Sequence, residues 1–210
     1  MTVIAAMRDT DGSILMGSDS KAIEDTGISY TLDKLKVHPS GSLVWGTAGP
    51  LSLGIRFSEW LTAYDLSHTR WQELQEEITE KVCELNGNER RSVKDCESTP
   101  DAGDAILVLV AGRIDGVTRL FSINDRGNCV VIEPPWDFEA IGARAQAKYI
   151  LLGIDYMLAY LAKGGVDVSL FNKLVKMQLL LEAINARVEG CGPPPHIWRI
   201  GQNGVEKLLP

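Results

Sequence analysis

Four short stretches near the start of the chain carry residues that could act together on a substrate. Thr2 directly follows Met1, and trimming of Met1 before so small a residue would give Thr2 a free α-amine. An α-amine titrates at a pKa of about 7.7 to 8.0, so it can take the proton of the neighbouring hydroxyl and activate that oxygen as a nucleophile. The alternative is that Thr2 is merely the second residue of the chain, and its position alone does not decide between the two.

Of the other three stretches, two are noted for charged residues and the third for glycines. Asp19 and Lys21 stand two residues apart at the end of a predicted strand, where they form either a solvated strand end or the wall of a site. Lys34 and Lys36 place two ammonium groups on one face of a later predicted strand. Residues 46–49, Gly-Thr-Ala-Gly, lead a strand into a helix, where glycines either make a tight turn or present backbone N–H groups to a developing oxyanion.

Hydrophobic periodicity and turn residues predict the elements that position these groups. Apolar residues at three- and four-residue steps predict two helix pairs, over 50–85 and 143–188, with short strands before, between and after them. Helices that arrive in pairs argue against a doubly wound parallel sheet. The order predicts an α+β fold, a four-layer α/β/β/α sandwich of two antiparallel sheets flanked by helix pairs, as one domain over residues 1–210.

Composition excludes several classes of protein. The 210 residues are 45% hydrophobic and 23% charged, which argues against disorder, and no apolar run approaches the roughly 20 residues of a membrane span. A net charge of −7 argues against a nucleic-acid surface. The four cysteines have no C-x-x-C pair and the three histidines lack metal-ligand spacing. With no basic leader at the start, these features predict a cytoplasmic location.

Taken in order, the four stretches resemble the β-type subunits of the proteasome and their bacterial relative HslV, which are threonine N-terminal-nucleophile (Ntn) hydrolases. That family has an N-terminal Thr on a strand, a G-x-D-x-[RK]-[AS] element ending the second strand, Lys-Val on the next and G-x-A-G before the first helix. This chain has Thr2, residues 17–22, Lys36-Val37 and residues 46–49 at those places. The resemblance is clearest up to about residue 50, and it implies the Ntn-hydrolase fold.

Carried over to these positions, the resemblance implies a threonine endopeptidase. Thr2 would attack a peptide carbonyl, and Lys36 beside it would ease loss of the hydroxyl proton and favour a neutral amine. Asp19 would orient that lysine, and Gly49 would lend its N–H to the oxyanion. Lys34 is the register alternative, but Lys36 is preferred because a valine follows it, as the family's lysine is usually followed.

The resemblance also implies a second layer of residues, and here the chain departs from the family. Lys21 stands where the family often has arginine, and Ala143 stands where it has a serine near the nucleophile. Glu189 takes the carboxylate position of the family's later Asp-x-x-Ser-Gly-Gly element, whose serine is replaced by glycine. Ile23 and Leu51 are expected to contribute to substrate binding. Alanine at position 143 removes one hydroxyl that would contact the free amine of Thr2.

The resemblance implies partners as well. It predicts a homo-oligomeric ring or stack of rings with inward-facing sites, a peptide or unfolded-protein substrate, an ATPase regulator, and no required metal or organic cofactor. Neither nucleic acid nor membrane is an expected partner. Two alternatives stay open: a catalytically silent structural subunit of the same fold that retains Met1, and an Ntn amidohydrolase that acts on a small amide.

Overall fold

The computed structural model describes residues 2–23, 29–87, 105–134 and 136–209. The charged stretch over 88–104, for which the sequence predicts part of a long surface loop, lies outside these ranges. The described strands are β1 (Val3–Arg8), β2 (Ile14–Ser18), β3 (Lys21–Ile23), β4 (Ser29–Thr31), β5 (Leu35–Val37), β6 (Leu43–Ala48), β7 (Leu107–Ile114), β8 (Val117–Ile123), β9 (Cys129–Val131), β10 (Phe138–Gly142), β11 (His196–Gly201) and β12 (Gly204–Leu209). The described helices are α1 (Leu51–Ala63), α2 (Trp71–Leu85), α3 (Arg144–Lys163) and α4 (Lys173–Arg187).

The described strands form two five-stranded antiparallel sheets and one two-stranded ribbon. The first sheet, in the order β10-β1-β2-β11-β12, joins the start of the chain to its end. The second has the order β5-β6-β7-β8-β9, and β3 pairs only with β4. The prediction of an α+β fold with antiparallel sheets and paired helices is confirmed. The β3–β4 ribbon was not predicted, because its residues lie in a polar stretch without strand periodicity.

Apolar side chains of the described residues form three buried clusters. One joins the first sheet to α3 and α4, a second joins the second sheet to α1 and α2, and a third contains residues from the inner faces of both sheets. Alternation along β1 shows how one strand serves two of them, since Val3 and Ala5 belong to the helix-side cluster while Ile4 and Ala6 belong to the inner one. The site lies where this first strand begins.

The length and apolar content of the helices bear on whether any of them could span a membrane. None of the helices in the described ranges is long and apolar enough to cross a membrane.

Candidate active site

The Thr2 hydroxyl lies against a buried lysine–carboxylate pair. Lys34 Nζ donates a hydrogen bond to Thr2 Oγ1 at 3.1 Å and another to Asp19 Oδ2 at 2.8 Å. The Asp19 side chain is fully buried, and that of Lys34 is only 6% exposed. Two charges this far from water are tolerated only when they are paired and hydrogen-bonded. The ammonium is therefore a fixed, positively charged donor at the hydroxyl oxygen.

Asp19 is held by backbone donors from three segments. The β1–β2 hairpin pairs Ile4 with Ser18, which brings the start of β1 level with Asp19. The Val3 N–H donates to Asp19 Oδ1 at 2.9 Å, while the N–H groups of Lys21 and Gly192 reach Oδ2 at 3.2 and 3.4 Å. Together with Lys34, these donors fix both oxygens of the carboxylate. Asp19 thus ties the first strand, the end of the second and the segment before β11 into one unit.

The structure places Lys34, and not Lys36, beside Thr2, so the expected position of Lys36 is wrong. Lys36 is exposed, and it pairs with Trp45, whose side chain faces the cluster that holds α1 and α2. Directly paired residues of antiparallel strands project to the same face, so Lys36 points away from the inner side of the sheet. The strand begins only at Leu35. Lys34 therefore lies in the preceding turn, where strand alternation does not apply.

The Thr2 backbone is fixed by the end of β10. The Ala143 N–H donates to the Thr2 carbonyl oxygen at 2.9 Å. Gly142 has φ +74°, and a Cβ there would lie 1.9 Å from that same oxygen and 3.4 Å from the Ala48 Cβ. Only glycine suits this conformation and this close approach. The end of β6, which carries Ala48, therefore lies beside the start of β1.

This contact brings the segment that ends in Gly49, the predicted oxyanion residue, to the start of β1. Gly49 follows Ala48 directly, is exposed, and has φ +123°. A Cβ at Gly49 would lie 2.4 Å from the Ala105 carbonyl oxygen, so the position requires glycine for space as well as for conformation. That its N–H binds an oxyanion stays a prediction.

The predicted second layer is only partly assembled around Thr2. Lys21 lies next to the site through its backbone N–H, and its side-chain stem fills the space beside Gly192, where an added Cβ would lie 3.0 Å away. Ala143 is buried, and its backbone N–H donates to the Thr2 carbonyl oxygen. Glu189 is exposed. In the segment that follows it, the Gly192 N–H is the group described as donating a hydrogen bond to Asp19.

The two predicted substrate-binding residues lie on different elements. Leu51 is the first residue of α1, directly after the Gly49-Pro50 junction, and it is 47% exposed. Ile23 ends β3, where the structure describes its backbone alone. An exposed apolar residue beside Gly49 is compatible with a role in substrate contact, which stays a prediction for both residues.

The buried thiol of Cys191 lies near the site, a neighbour that the sequence analysis did not predict. Burial, followed by the negative charge of Asp19, raises the pKa of Cys191 to about 11. The thiol is therefore neutral near neutral pH, and a thiolate is the form that attacks carbonyls. The chemistry disfavours a cysteine hydrolase here.

Sequence reasoning also missed a charged cluster on the other side of Lys34, formed by Asp33, His196 and Lys207. Lys207 Nζ donates to Asp33 Oδ2 at 3.0 Å, and His196 Nδ1 lies 3.1 Å from Asp33 Oδ1, an ion-pair contact outside hydrogen-bond geometry. Burial alone would raise the pKa of Asp33, but the Lys207 hydrogen bond and the charges of His196 and Lys207 outweigh it and lower the pKa. The only sequence signal was the adjacency of Asp33 to Lys34.

The α+β fold described above is similar to that of several solved proteasome-like structures. Among solved structures, Anbu (ancestral beta-subunit) from Yersinia bercovieri is similar over 99% of this chain and 87% of its own, at 20% identity and a TM-score of 0.71. An Anbu Gly-1 mutant from Hyphomicrobium sp. strain MC1 is 18% identical over 100% of this chain and 85% of its own, with a TM-score of 0.70. The Anbu complex from Pseudomonas aeruginosa, described as a helical assembly, is 20% identical over 93% and 79%, with a TM-score of 0.67.

No protein-family model matches the chain, and no curated protein matches it. At sequence identities of 18–20%, the similarity to these solved structures shows the fold alone.

The resemblance to proteasome β-type subunits and HslV is corrected by these neighbours. Anbu proteins share the proteasome-like fold but form a related, different family. The motifs that carried the resemblance are short, and they fall where the common fold brings a carboxylate and a glycine turn to the first strand. They indicate the fold, and they do not separate its families.

Proposed function

We propose that this chain is a subunit of a self-assembling, proteasome-like hydrolase whose nucleophile is Thr2 after removal of Met1, and that it acts as a threonine-type peptidase. The observation that carries the proposal is the 3.1 Å hydrogen bond from Lys34 Nζ to Thr2 Oγ1, with Lys34 held by the buried Asp19. A buried ammonium at a hydroxyl favours its deprotonated form, and this is a common way to activate a weak nucleophile.

In the proposed reaction, Thr2 Oγ1 adds to the carbonyl carbon of a peptide bond while its proton passes to the Thr2 α-amine. The ammonium of Lys34 stabilises the developing alkoxide, and the Gly49 N–H donates to the oxyanion. The C–N bond then breaks as the α-ammonium returns the proton to the leaving nitrogen. Water adds to the resulting ester with the same amine as base, which releases the acid and regenerates Thr2.

Assembly is proposed from an apolar surface on α3. Tyr149, Leu152, Tyr156 and Tyr160 are 65–77% exposed and recur at three- and four-residue steps, which places them along one side of the helix. A contiguous exposed aromatic stripe is typical of an interface. Since an Anbu complex has been described as a helical assembly, we infer that a second copy of this chain covers the stripe. The sequence does not give the number of subunits or the symmetry.

The proposal includes the finer architecture and the setting. It treats residues 1–210 as one domain whose layers stack as a four-layer α/β/β/α sandwich, the arrangement that the three apolar clusters would fill. It takes a cytoplasmic location from the composition and the cysteine pattern. A peptide or unfolded-protein substrate and an ATPase regulator are proposed because the fold is proteasome-like, and no cofactor is required.

Two measurements test the nucleophile. The intact mass of the purified native protein should show that Met1 is absent. An electrophilic probe that reacts with both a hydroxyl and an adjacent amine should then label wild type at Thr2 and leave Thr2→Ser labelled but Thr2→Ala unlabelled. Quantitative retention of Met1, or equal labelling of Thr2→Ala, would remove Thr2 from the mechanism.

A second candidate, the catalytically silent structural subunit, is favoured by two observations. The serine position near the nucleophile is the buried Ala143, and Glu189, at the family's carboxylate position, is exposed. Retained Met1 together with intact assembly would support this candidate. If Thr2 is labelled but a peptide-library digest shows no cleavage, the small-amide amidohydrolase becomes the better description.

A further inference from the structure

Lys34 reaches Thr2 from a turn that is held by one hydrogen bond to another segment and by one within the turn itself. On its N-terminal side, the Leu32 N–H donates to the Ser20 carbonyl oxygen at 2.7 Å. On its C-terminal side, the Leu35 N–H donates to Asp33 Oδ1 at 3.2 Å, which closes a local turn around Lys34. A long, flexible lysine side chain has many rotamers, so the position of its backbone decides how much of the time it contacts Thr2.

The carboxylate of Asp33 connects this turn to the edge of the first sheet. Lys207 on β12 donates to one oxygen at 3.0 Å, and His196 on β11 lies 3.1 Å from the other. Lys207 Nζ also lies 5.3 Å from the centroid of the Trp198 ring, which restricts where the ammonium can go. The cluster therefore bridges a turn before the second sheet and two strands of the first.

The same contacts decide which carboxylate holds Lys34. Asp33 is the immediate neighbour of Lys34 in sequence, yet Lys34 is paired with Asp19. Because Lys207 pairs with Asp33 and the His196 ring lies against its other oxygen, the Lys34 ammonium is left to Asp19 and to the Thr2 hydroxyl. A lysine drawn toward Asp33 would leave the nucleophile.

We propose that Asp33 and Lys207 are positioning residues for the Thr2 reaction: their ion pair, with His196 beside it, holds the turn so that the Lys34 ammonium stays on Thr2 Oγ1. The inference rests on the proposed function, since it concerns how the same nucleophile is activated. Neither residue is placed in contact with substrate.

The test compares Lys207→Met with wild type by the second-order rate of Thr2 labelling, measured from pH 5 to 9. Methionine keeps an apolar stem over Trp198 and removes the charge. We expect labelling at pH 7 to fall roughly three- to fivefold, the effect of a partly exposed ion pair. We also expect the rise of the rate with pH to move to higher pH, because an amine with a more distant positive neighbour loses its proton less readily.

Three further variants make the result specific. Lys207→Arg keeps the charge and should restore the rate to within about twofold of wild type. Asp33→Asn keeps an acceptor for the Leu35 N–H but loses the ion pair, and it should also label more slowly. Lys176→Met breaks a comparable ion pair with Asp155, 2.6 Å long, between α3 and α4, and should change neither the rate nor the pH profile.

The outcomes separate the two proposals. If wild type is not labelled at Thr2, the proposed function fails before any variant is compared. If wild type is labelled and Lys207→Met matches Lys176→Met in both rate and pH profile, the ion pair is only structural and this inference is overturned.

Discussion

The Thr2 site and the outer side of α3 depart from ordinary burial in opposite ways. At the site, a carboxylate and an ammonium are withdrawn from water, with Asp19 fully buried and Lys34 nearly so. On α3, three tyrosines and a leucine are 65–77% exposed. Buried charges are costly unless they are partnered, and large exposed aromatic residues leave apolar surface in water.

The two regions differ in whether their side chains find partners within the chain. At the site, the Asp19 carboxylate has donors within the chain for both of its oxygens, from backbone N–H groups and from Lys34. Within the described residues, the apolar surface of the α3 stripe stays exposed. The first region pairs its charges within the chain, while the second leaves apolar surface exposed, which a second copy is proposed to cover.

The largest effect is expected from Asp19→Ala. It leaves the Lys34 ammonium buried without its partner and removes the acceptor of three backbone N–H groups, so the free energy of unfolding should fall by about 3 to 5 kcal/mol. Urea unfolding followed by circular dichroism measures the loss. Asp155→Ala, which breaks an exposed pair with Lys176, is the control and should cost no more than about 1 kcal/mol. Equal losses in the two variants would mean that the Asp19–Lys34 pair contributes no more to stability than the Asp155–Lys176 pair.

Next comes the comparison of Lys34→Met with Lys36→Met. Loss of the charge 3.1 Å from the nucleophilic oxygen should slow labelling of Thr2 about 100-fold, the usual effect of removing a positioned catalytic group. Lys36→Met should label at close to the wild-type rate, because its side chain is exposed on the other face of the sheet. The reverse pattern would contradict the placement of Lys34. Thermal unfolding of both variants controls for loss of folded protein.

An intermediate effect is expected for Tyr156→Glu on the α3 stripe. Burying a carboxylate in an apolar contact should weaken self-association by at least about tenfold, while labelling of Thr2 in the folded subunit persists. Sedimentation velocity over a dilution series measures the association. Val117→Glu, at a 48% exposed position on β8, is the matched control. Unchanged association in Tyr156→Glu would remove the stripe as the interface between copies.

The smallest effect is a pH dependence of stability from Asp33. Its pKa is lowered in the folded protein, so its stabilising contribution is present above the ordinary value of 3.8 and is lost as the pH falls below it. The melting temperature of wild type should therefore drop more steeply than that of Asp33→Asn between about pH 4 and pH 2, while the two run in parallel above pH 5. Parallel curves throughout would show that the carboxylate gains nothing from Lys207 and His196.

The two lysines show where sequence reasoning ended. Lys34 and Lys36 have the same spacing that places residues on one face of a strand, and the motif favoured the lysine that precedes valine. What the pattern does not contain is that β5 begins at Leu35. That boundary depends on the hydrogen bonds that the Leu32 and Leu35 N–H groups donate to the Ser20 carbonyl oxygen and to Asp33 Oδ1. Most elements of the fold could be predicted from hydrophobic periodicity, because paired helices and short strands have recognisable local sequence patterns. The β3–β4 ribbon has no such signal.

What the sequence by itself determined is the Thr2 nucleophile candidate, the carboxylate of Asp19, the glycines of residues 46–49 and the paired-helix α+β order. These depend on residue type and on local pattern. The tertiary structure alone decided that Lys34 contacts Thr2, that Asp19 gathers donors as far along the chain as Gly192, and that Asp33 meets His196 and Lys207. Those contacts join residues up to 174 positions apart, as in the pair of Asp33 with Lys207, and only the packing of the strands brings them within hydrogen-bond distance.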